Sequence, residues 1–196
     1  MFERWALVFA DFIKKANPDE TEPHDVLVFG FTILFNLLFT FTLIIMSGWL
    51  LDIPFLTLQV AFSFMLLRIL TGGAHLEHSL ACSLTSFSLL FVFVWLPVSN
   101  ILITIYITII LINLLCFAPY YETHQVKHSA KWERKKKLVA LLWVLISLVI
   151  YFLYDQTGLV IGALLQALLL TPAGIKLTHK LNTFSSKGGE IHEKNS

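Results

Sequence analysis

Fifteen residues, Arg68-Ile-Leu-Thr-Gly-Gly-Ala-His-Leu-Glu-His-Ser-Leu-Ala-Cys82, hold an arginine, two glycines, two histidines, a glutamate and a cysteine between two apolar runs. A cysteine becomes a nucleophile when a nearby histidine favours its thiolate. His78 lies four residues before Cys82, one turn away on a continuous helix. His75 lies seven before it, about 10 Å along an unbroken helix. His75 reaches the thiol only if the helix starts after it and the glycine turn folds the imidazole back. Local geometry therefore mildly favours His78. Gly72 and Gly73 permit backbone conformations closed to other residues, and free amides at such a break can stabilise an oxyanion. Arg68, an ionisable group close to membrane depth, is a functional candidate by default. Each feature also has a plainer reading: a small apolar cysteine, a snorkelling arginine, an ordinary helix–helix turn.

The elements that must position these residues are apolar helices. Of 196 residues, 57% are hydrophobic and 14% charged, where a soluble domain carries about a quarter charged. Mean hydropathy is +0.76, so the bilayer is the expected solvent. Six apolar runs lie near 26–50, 54–70, 79–97, 99–118, 138–154 and 158–173. The last is short and holds Gly158 and Gly162. The fold class expected is all-α, a polytopic membrane protein with about six transmembrane helices. The breaks at Leu51-Asp52 and Pro97–Asn100 are short enough to make their flanking helices antiparallel neighbours. Residues 1–16 place Phe2, Trp5, Phe9, Phe12 and Ile13 at helical spacing, as in an amphipathic helix at the membrane interface; packing on the bundle is the alternative. The expected organisation is an interfacial helix and polar linker over 1–25, a membrane domain over 26–175 and a polar tail over 176–196.

If all six runs span, segments 1–25, 71–78, 119–137 and 174–196, with Arg68, carry all 14 Lys and Arg residues. The opposite connections carry none. The positive-inside rule then puts both termini and the opening stretch in the cytoplasm. That compartment keeps Cys82 and Cys116 reduced. No cleavable signal peptide is expected. A net charge of +1 makes no case for nucleic acid, and none is expected as a partner.

The opening stretch resembles the motif of the accessory gene regulator B (AgrB) family of membrane cysteine endopeptidases. In that family an arginine precedes a Gly-Gly-x-His or Gly-x-His turn, and a cysteine follows the histidine by seven residues. Here these are Arg68, Gly72-Gly73-Ala74-His75 and Cys82. The segment CFAPYYETHQV at 116–126 is similar to the family's Ala-Pro segment, which leads into a basic loop. The resemblance implies Cys82 as nucleophile and His75 as general base, with His78 as the alternative base. Its substrate would be an amphipathic quorum-sensing propeptide with an acidic C-terminal tail. Removal of the tail leaves a peptidyl thioester, which an internal cysteine or serine closes to a cyclic (thio)lactone. The resemblance also implies a bacterial cytoplasmic membrane, a homodimer and no cofactor. The family's Lys/Pro-rich stretch is replaced by ETHQVKHSAKWERKKK, which moves the cationic cluster to Lys131, Arg134, Lys135, Lys136 and Lys137. These residues suit an acidic tail; anionic lipid is their plainer partner.

Two rival classes remain. His75-x2-His78 and His124-x3-His128 have helical metal-ligand spacing, but the runs lack the polar residues of an ion path, and no metal site is expected. A non-catalytic scaffold explains the apolar runs but not the opening stretch. No third triad member is evident, and Glu77 is a guess at one.

Overall fold

The computed structural model describes residues 2–18, 21–76, 78–121 and 129–193, with backbone alone at 79 and 184–193. Among the described residues eight helices follow in order: α1 (Phe2–Ala16), α2 (His24–Leu50), α3 (Pro54–Thr71), α4 (Ser79–Val94), α5 (Asn100–Phe117), α6 (Ala130–Tyr154), α7 (Gly158–Leu169) and α8 (Pro172–Glu193). Every apolar run is a helix, because its backbone polar groups must be satisfied internally in lipid. Four of them, α2, α3, α5 and α6, are long and apolar enough to cross a membrane. A fifth crossing arises only if α7 and the start of α8, bent by 71°, count as one span. At 16 and 12 residues, α4 and α7 fall short of the ~20 residues a crossing needs. The expected six full spans are therefore not reached by length.

The short helix α7 is the centre of the bundle. All but its last two residues are buried. One cluster joins it to α3, α5 and α6 through Leu67, Ile103, Ile110, Val144, Val160 and Leu164. A second joins it to α2, α3 and α4 through Ile44, Val60, Leu90, Ile161 and Leu165. Gly162 lets α7 press on α3, where a side chain would strike the Val60 carbonyl, the close approach small residues allow between membrane helices. Ser63 Oγ donates to the Leu159 carbonyl (2.6 Å) and accepts from Trp143 Nε1 (2.9 Å).

This centre alters one expected neighbour. α2 and α3 do pack together across their tight turn. α4 and α5 meet where they join, with Tyr106 OH donating to the Pro97 carbonyl (3.0 Å), but otherwise α4 packs on α2, α7 and α3, and α5 on α7 and α6. The surface of α7, small and aliphatic apart from Gln166, offers both of them an apolar face to bury.

α1 folds back antiparallel along α2: Phe2 meets Phe39, Trp5 meets Phe35, and Phe9 meets Phe31 and Phe35. Ala6 and Ala10 are fully buried. One side of this amphipathic helix thus packs on the bundle, while Val8 and Phe12 stay exposed at 66% and 72%. The sequence boundary between membrane domain and tail, at 175–176, falls inside α8, which runs on unbroken.

The bundle has two distinct ends. At one, Gln59 Nε2 donates to Gln156 Oε1 (2.6 Å) and Tyr151 OH donates to Asn100 Oδ1 (2.6 Å). At the other, the ends of α3, α5 and α7 and the starts of α4, α6 and α8 converge.

Candidate active site

The chain between α3 and α4 makes the site. Thr71 ends α3 and Gly72 caps it, with φ 71° and ψ −149°; Gly73 follows at φ 137°. Both values belong to backbone that only glycine adopts without strain. Space makes the same demand: a Cβ on Gly72 would strike the Tyr120 carbonyl, and one on Gly73 the Arg68 guanidinium.

Tyr120 belongs to the Ala-Pro segment after α5, where the Ala118–Pro119 peptide is cis. Its N–H donates to the Thr71 carbonyl (2.9 Å), and its carbonyl accepts from the Gly73 N–H (3.2 Å). These bonds make a short parallel bridge between the two segments, which are about 50 residues apart in sequence. From below, Gln166 of α7 donates Nε2 to Thr71 Oγ1 and to the Gly72 carbonyl, each at 2.9 Å. The Gly72 N–H donates to the Arg68 carbonyl (3.0 Å). Both glycine amides expected to face an oxyanion thus have protein acceptors here, and the glycines act on the shape of the turn. Arg68 Nη2 donates to the Ala74 carbonyl.

α4 begins at Ser79, so the helix does start after His75. His75, Cys82 and Arg68 all line one cavity of about 260 Å³. Its other walls come from α2 (Ile33, Asn36, Leu37), α3 (Phe64, Met65) and α4 (Ser83, Ser86), with Leu169 of α7 and Thr178 of α8. Ser83 Oγ lies 3.3 Å from both Oδ1 and the carbonyl of Asn36. Burial, reinforced by the Arg68 cation, lowers the His75 pKa to about 4. The imidazole is therefore neutral at neutral pH and able to accept a proton.

The other candidates sit elsewhere. His78 is exposed at the N-cap of α4 and is not among the cavity residues; its carbonyl accepts from the Cys82 N–H (2.9 Å). Cys116 is exposed near the end of α5. The basic run forms the first turns of α6. Lys131, Arg134 and Lys135 are exposed, Lys136 and Lys137 half-buried. Lys137 Nζ donates to the Leu115 carbonyl (2.6 Å), capping α5, and the Lys136 ammonium lies 5.9 Å from the Tyr121 ring centre. Glu77, His124 and His128 lie outside the described residues.

Sequence reasoning missed Asn36, Tyr120 and Gln166. Asn36 and Gln166 did leave a signal, since each is an amide inside an apolar run, where unpaired polar groups are costly. Tyr120 lies in the Ala-Pro segment that the resemblance pointed to, but nothing marked the residue itself, because it acts through its backbone.

Comparison with known proteins agrees with this arrangement. The family model for AgrB, accessory gene regulator B, matches residues 7–170. An AgrB-like protein of Halalkalibacterium halodurans is 45% identical over 200 residues, covering all of both chains. AgrB-like proteins of Listeria welshimeri and Listeria innocua are each 30% identical, over 62% and 64% of this chain and 63% of their own. No solved structure matches the chain. By the family match and by its full-length relative alike, the chain belongs to the AgrB family, a membership that supports a role in the agr quorum-sensing system.

Proposed function

We propose that this chain is a membrane cysteine endopeptidase that processes a short signalling propeptide through a peptidyl thioester. The observation that carries the reading is the shared cavity: His75, Cys82 and Arg68 line it, and His78 does not. In the first step Cys82 Sγ attacks the scissile carbonyl carbon and His75 takes the thiol proton. The C–N bond then breaks, and His75 returns the proton to the departing amine of the tail. The peptide is left as a thioester on Cys82. An internal thiol or hydroxyl of the peptide attacks that ester, and Cys82 leaves as a thiol, so the ring closes without an external energy source. The Arg68 guanidinium is the charge that faces the developing oxyanion or an acidic side chain of the peptide. A neutral His75 suits this order of events, because the proton moves as the attack occurs rather than before it.

The wall from α2, α3 and α4 is mostly apolar, which limits the water that would compete for the thioester. An amphipathic peptide gathers at the same membrane interface. The exposed cations Lys131, Arg134 and Lys135 suit the acidic tail of such a peptide. On the charge distribution, the site end and both termini face the cytoplasm. The family resemblance adds a homodimer as the working form.

The test is a trapping experiment. The protein in membranes is mixed with a series of amphipathic propeptides, and mass spectrometry looks for a peptide thioester on Cys82. An adduct lost in Cys82→Ala and His75→Ala but kept in His78→Ala supports the reading. Loss only in His78→Ala moves the base to His78. Cleavage that survives Cys82→Ala ends the mechanism.

A further inference from the structure

The helix α8 begins after the stretch matched to the family, which ends at residue 170, yet it reaches the site. Thr171 and Pro172 explain how. Thr171 Oγ1 accepts from the Gly174 N–H (3.1 Å), a side-chain N-cap. Pro172 takes the first helical position, where its missing N–H costs nothing. The chain therefore turns by 71° between α7 and α8, and α8 crosses toward the turn that holds His75.

Gly174, Thr178 and Asn182 of α8, spaced by four, are half-buried, while Leu177 and Leu181 are exposed at 55% and 38%. Leucines outward with small and polar residues inward is the pattern of a helix packed among membrane helices, and Ile175 is half-buried beside Gly174. Thr178 lines the cavity beside His75 and Cys82. Asn182 Nδ2 donates to the His75 carbonyl (3.1 Å).

That bond completes a pattern. The Gly72 carbonyl is held by Gln166 of α7, the Ala74 carbonyl by Arg68 of α3, and the His75 carbonyl by Asn182 of α8. Three side chains from three helices thus grip the carbonyls of one turn. The Asn182 bond is the one made to the histidine itself.

We propose that α8 is a working wall of the site, in which Asn182 is a positioning residue that fixes His75 toward Cys82 and Thr178 bounds the space the substrate enters. The inference rests on the peptidase reading, so its test separates the two. The full-length protein is placed in proteoliposomes in a Cys116→Ala background, leaving Cys82 as the single thiol. The rate of its alkylation by iodoacetamide is measured for wild type, His75→Ala, Asn182→Leu, Asn182→Ala and Asn182→Gln. Each Asn182 change is measured again with His75→Ala.

The expected result is a slowing of about five- to twentyfold in Asn182→Leu and Asn182→Ala, the scale of one lost hydrogen bond in an oriented site. Asn182→Gln, which keeps the donor, recovers part of the rate. Neither loss adds to the effect of His75→Ala, because Asn182 acts through that residue. A merely structural role would lower the rate in both backgrounds equally, and that outcome overturns the proposal, as does a wild-type rate in both Asn182→Leu and Asn182→Ala. If His75→Ala itself leaves the rate unchanged, His75 does not act on Cys82; the assignment of His75 as base then fails, and the positioning role fails with it, while the peptidase reading is judged separately by cleavage in Cys82→Ala.

Discussion

The two ends of the bundle solve the same problem with different residues. At the end away from the site, the chain reverses at Asp52 and Asp155, with φ of 57° and 54°. Both lie in the left-handed helical region, which aspartate tolerates. At the site end the chain reverses at Gly72 and Gly73, in backbone reserved for glycine. In the first turns the backbone is held locally: Asp155 caps α6 with a bond from its N–H to the Tyr151 carbonyl (2.8 Å), and the long-range bond from Gln59 to Gln156 joins side chains only. The second is held from outside, by Tyr120, Gln166, Arg68 and Asn182. A turn that only joins two helices needs its own residues. A turn that must hold an imidazole in place draws donors from across the fold.

The largest effect that sharpens this contrast is chemical. Cys82→Ala is expected to lower propeptide cleavage by at least about 10³-fold, and His75→Ala by about 10² to 10⁴. His78→Ala and Cys116→Ala stay within about threefold, as changes to exposed residues outside the cavity do. Cleavage assays in proteoliposomes compare all four. Equal losses in His75→Ala and His78→Ala would erase the distinction between the turn and the helix cap.

Next come the turns themselves. Gly72→Ala and Gly73→Ala combine a forbidden backbone with a clash and are expected to cost about 1–3 kcal/mol each. In Gly73→Ala the Arg68 side chain must also move. Asp52→Gly and Asp155→Gly suit their left-handed backbone and are expected to change stability by less than about 1 kcal/mol. Thermal unfolding in detergent reads both pairs. A tolerant Gly73 would mean that the site turn is as self-sufficient as the outer ones.

The buried amides give a smaller difference. Gln166→Leu leaves the Gly72 carbonyl and the Thr71 hydroxyl without their donor and is expected to cost about 1–3 kcal/mol. Gln59→Leu breaks an exposed bond to Gln156 and is expected to cost about 0.5 kcal/mol or less. The same unfolding assay ranks them.

The finest distinction is in pH. Burial and then the Arg68 charge hold the His75 pKa down to about 4, so wild type keeps a neutral base well into acid. Arg68→Gln removes the second cause, and the His75 pKa rises toward its ordinary value. The acidic limb of Cys82-dependent cleavage then moves to higher pH, whatever happens to the maximal rate. An acidic limb that stays in place would show that Arg68 does not act on His75.

Much of the scaffold was legible because lipid leaves the backbone few choices. Each apolar run became a helix, with Pro54 at the start of α3, where proline is tolerated. Lengths were less legible. The last apolar run was read as a span although it is short and holds Gly158 and Gly162, but α7 is a short buried plug, and its burial depends on packing against helices that are mostly remote in sequence. The site was half legible. Arg68, His75 and Cys82 stand out as polar residues in an apolar context, and the spacing to Cys82 left both histidines open. Only the start of α4 at Ser79 puts His75 on the cavity and leaves His78 exposed.

The amino-acid sequence by itself determined the helices, their polarity and the glycine turn, because these depend on periodicity, hydrophobicity and local backbone sterics. The tertiary structure alone decided who holds that turn. Tyr120, Gln166 and Asn182 act through one or two hydrogen bonds each, across about 50 to 110 residues of chain. Such bonds have no period and no local signature. They exist only once α5, α7 and α8 have packed around one end of the bundle and brought a donor or acceptor within 3 Å or so of backbone that cannot satisfy itself.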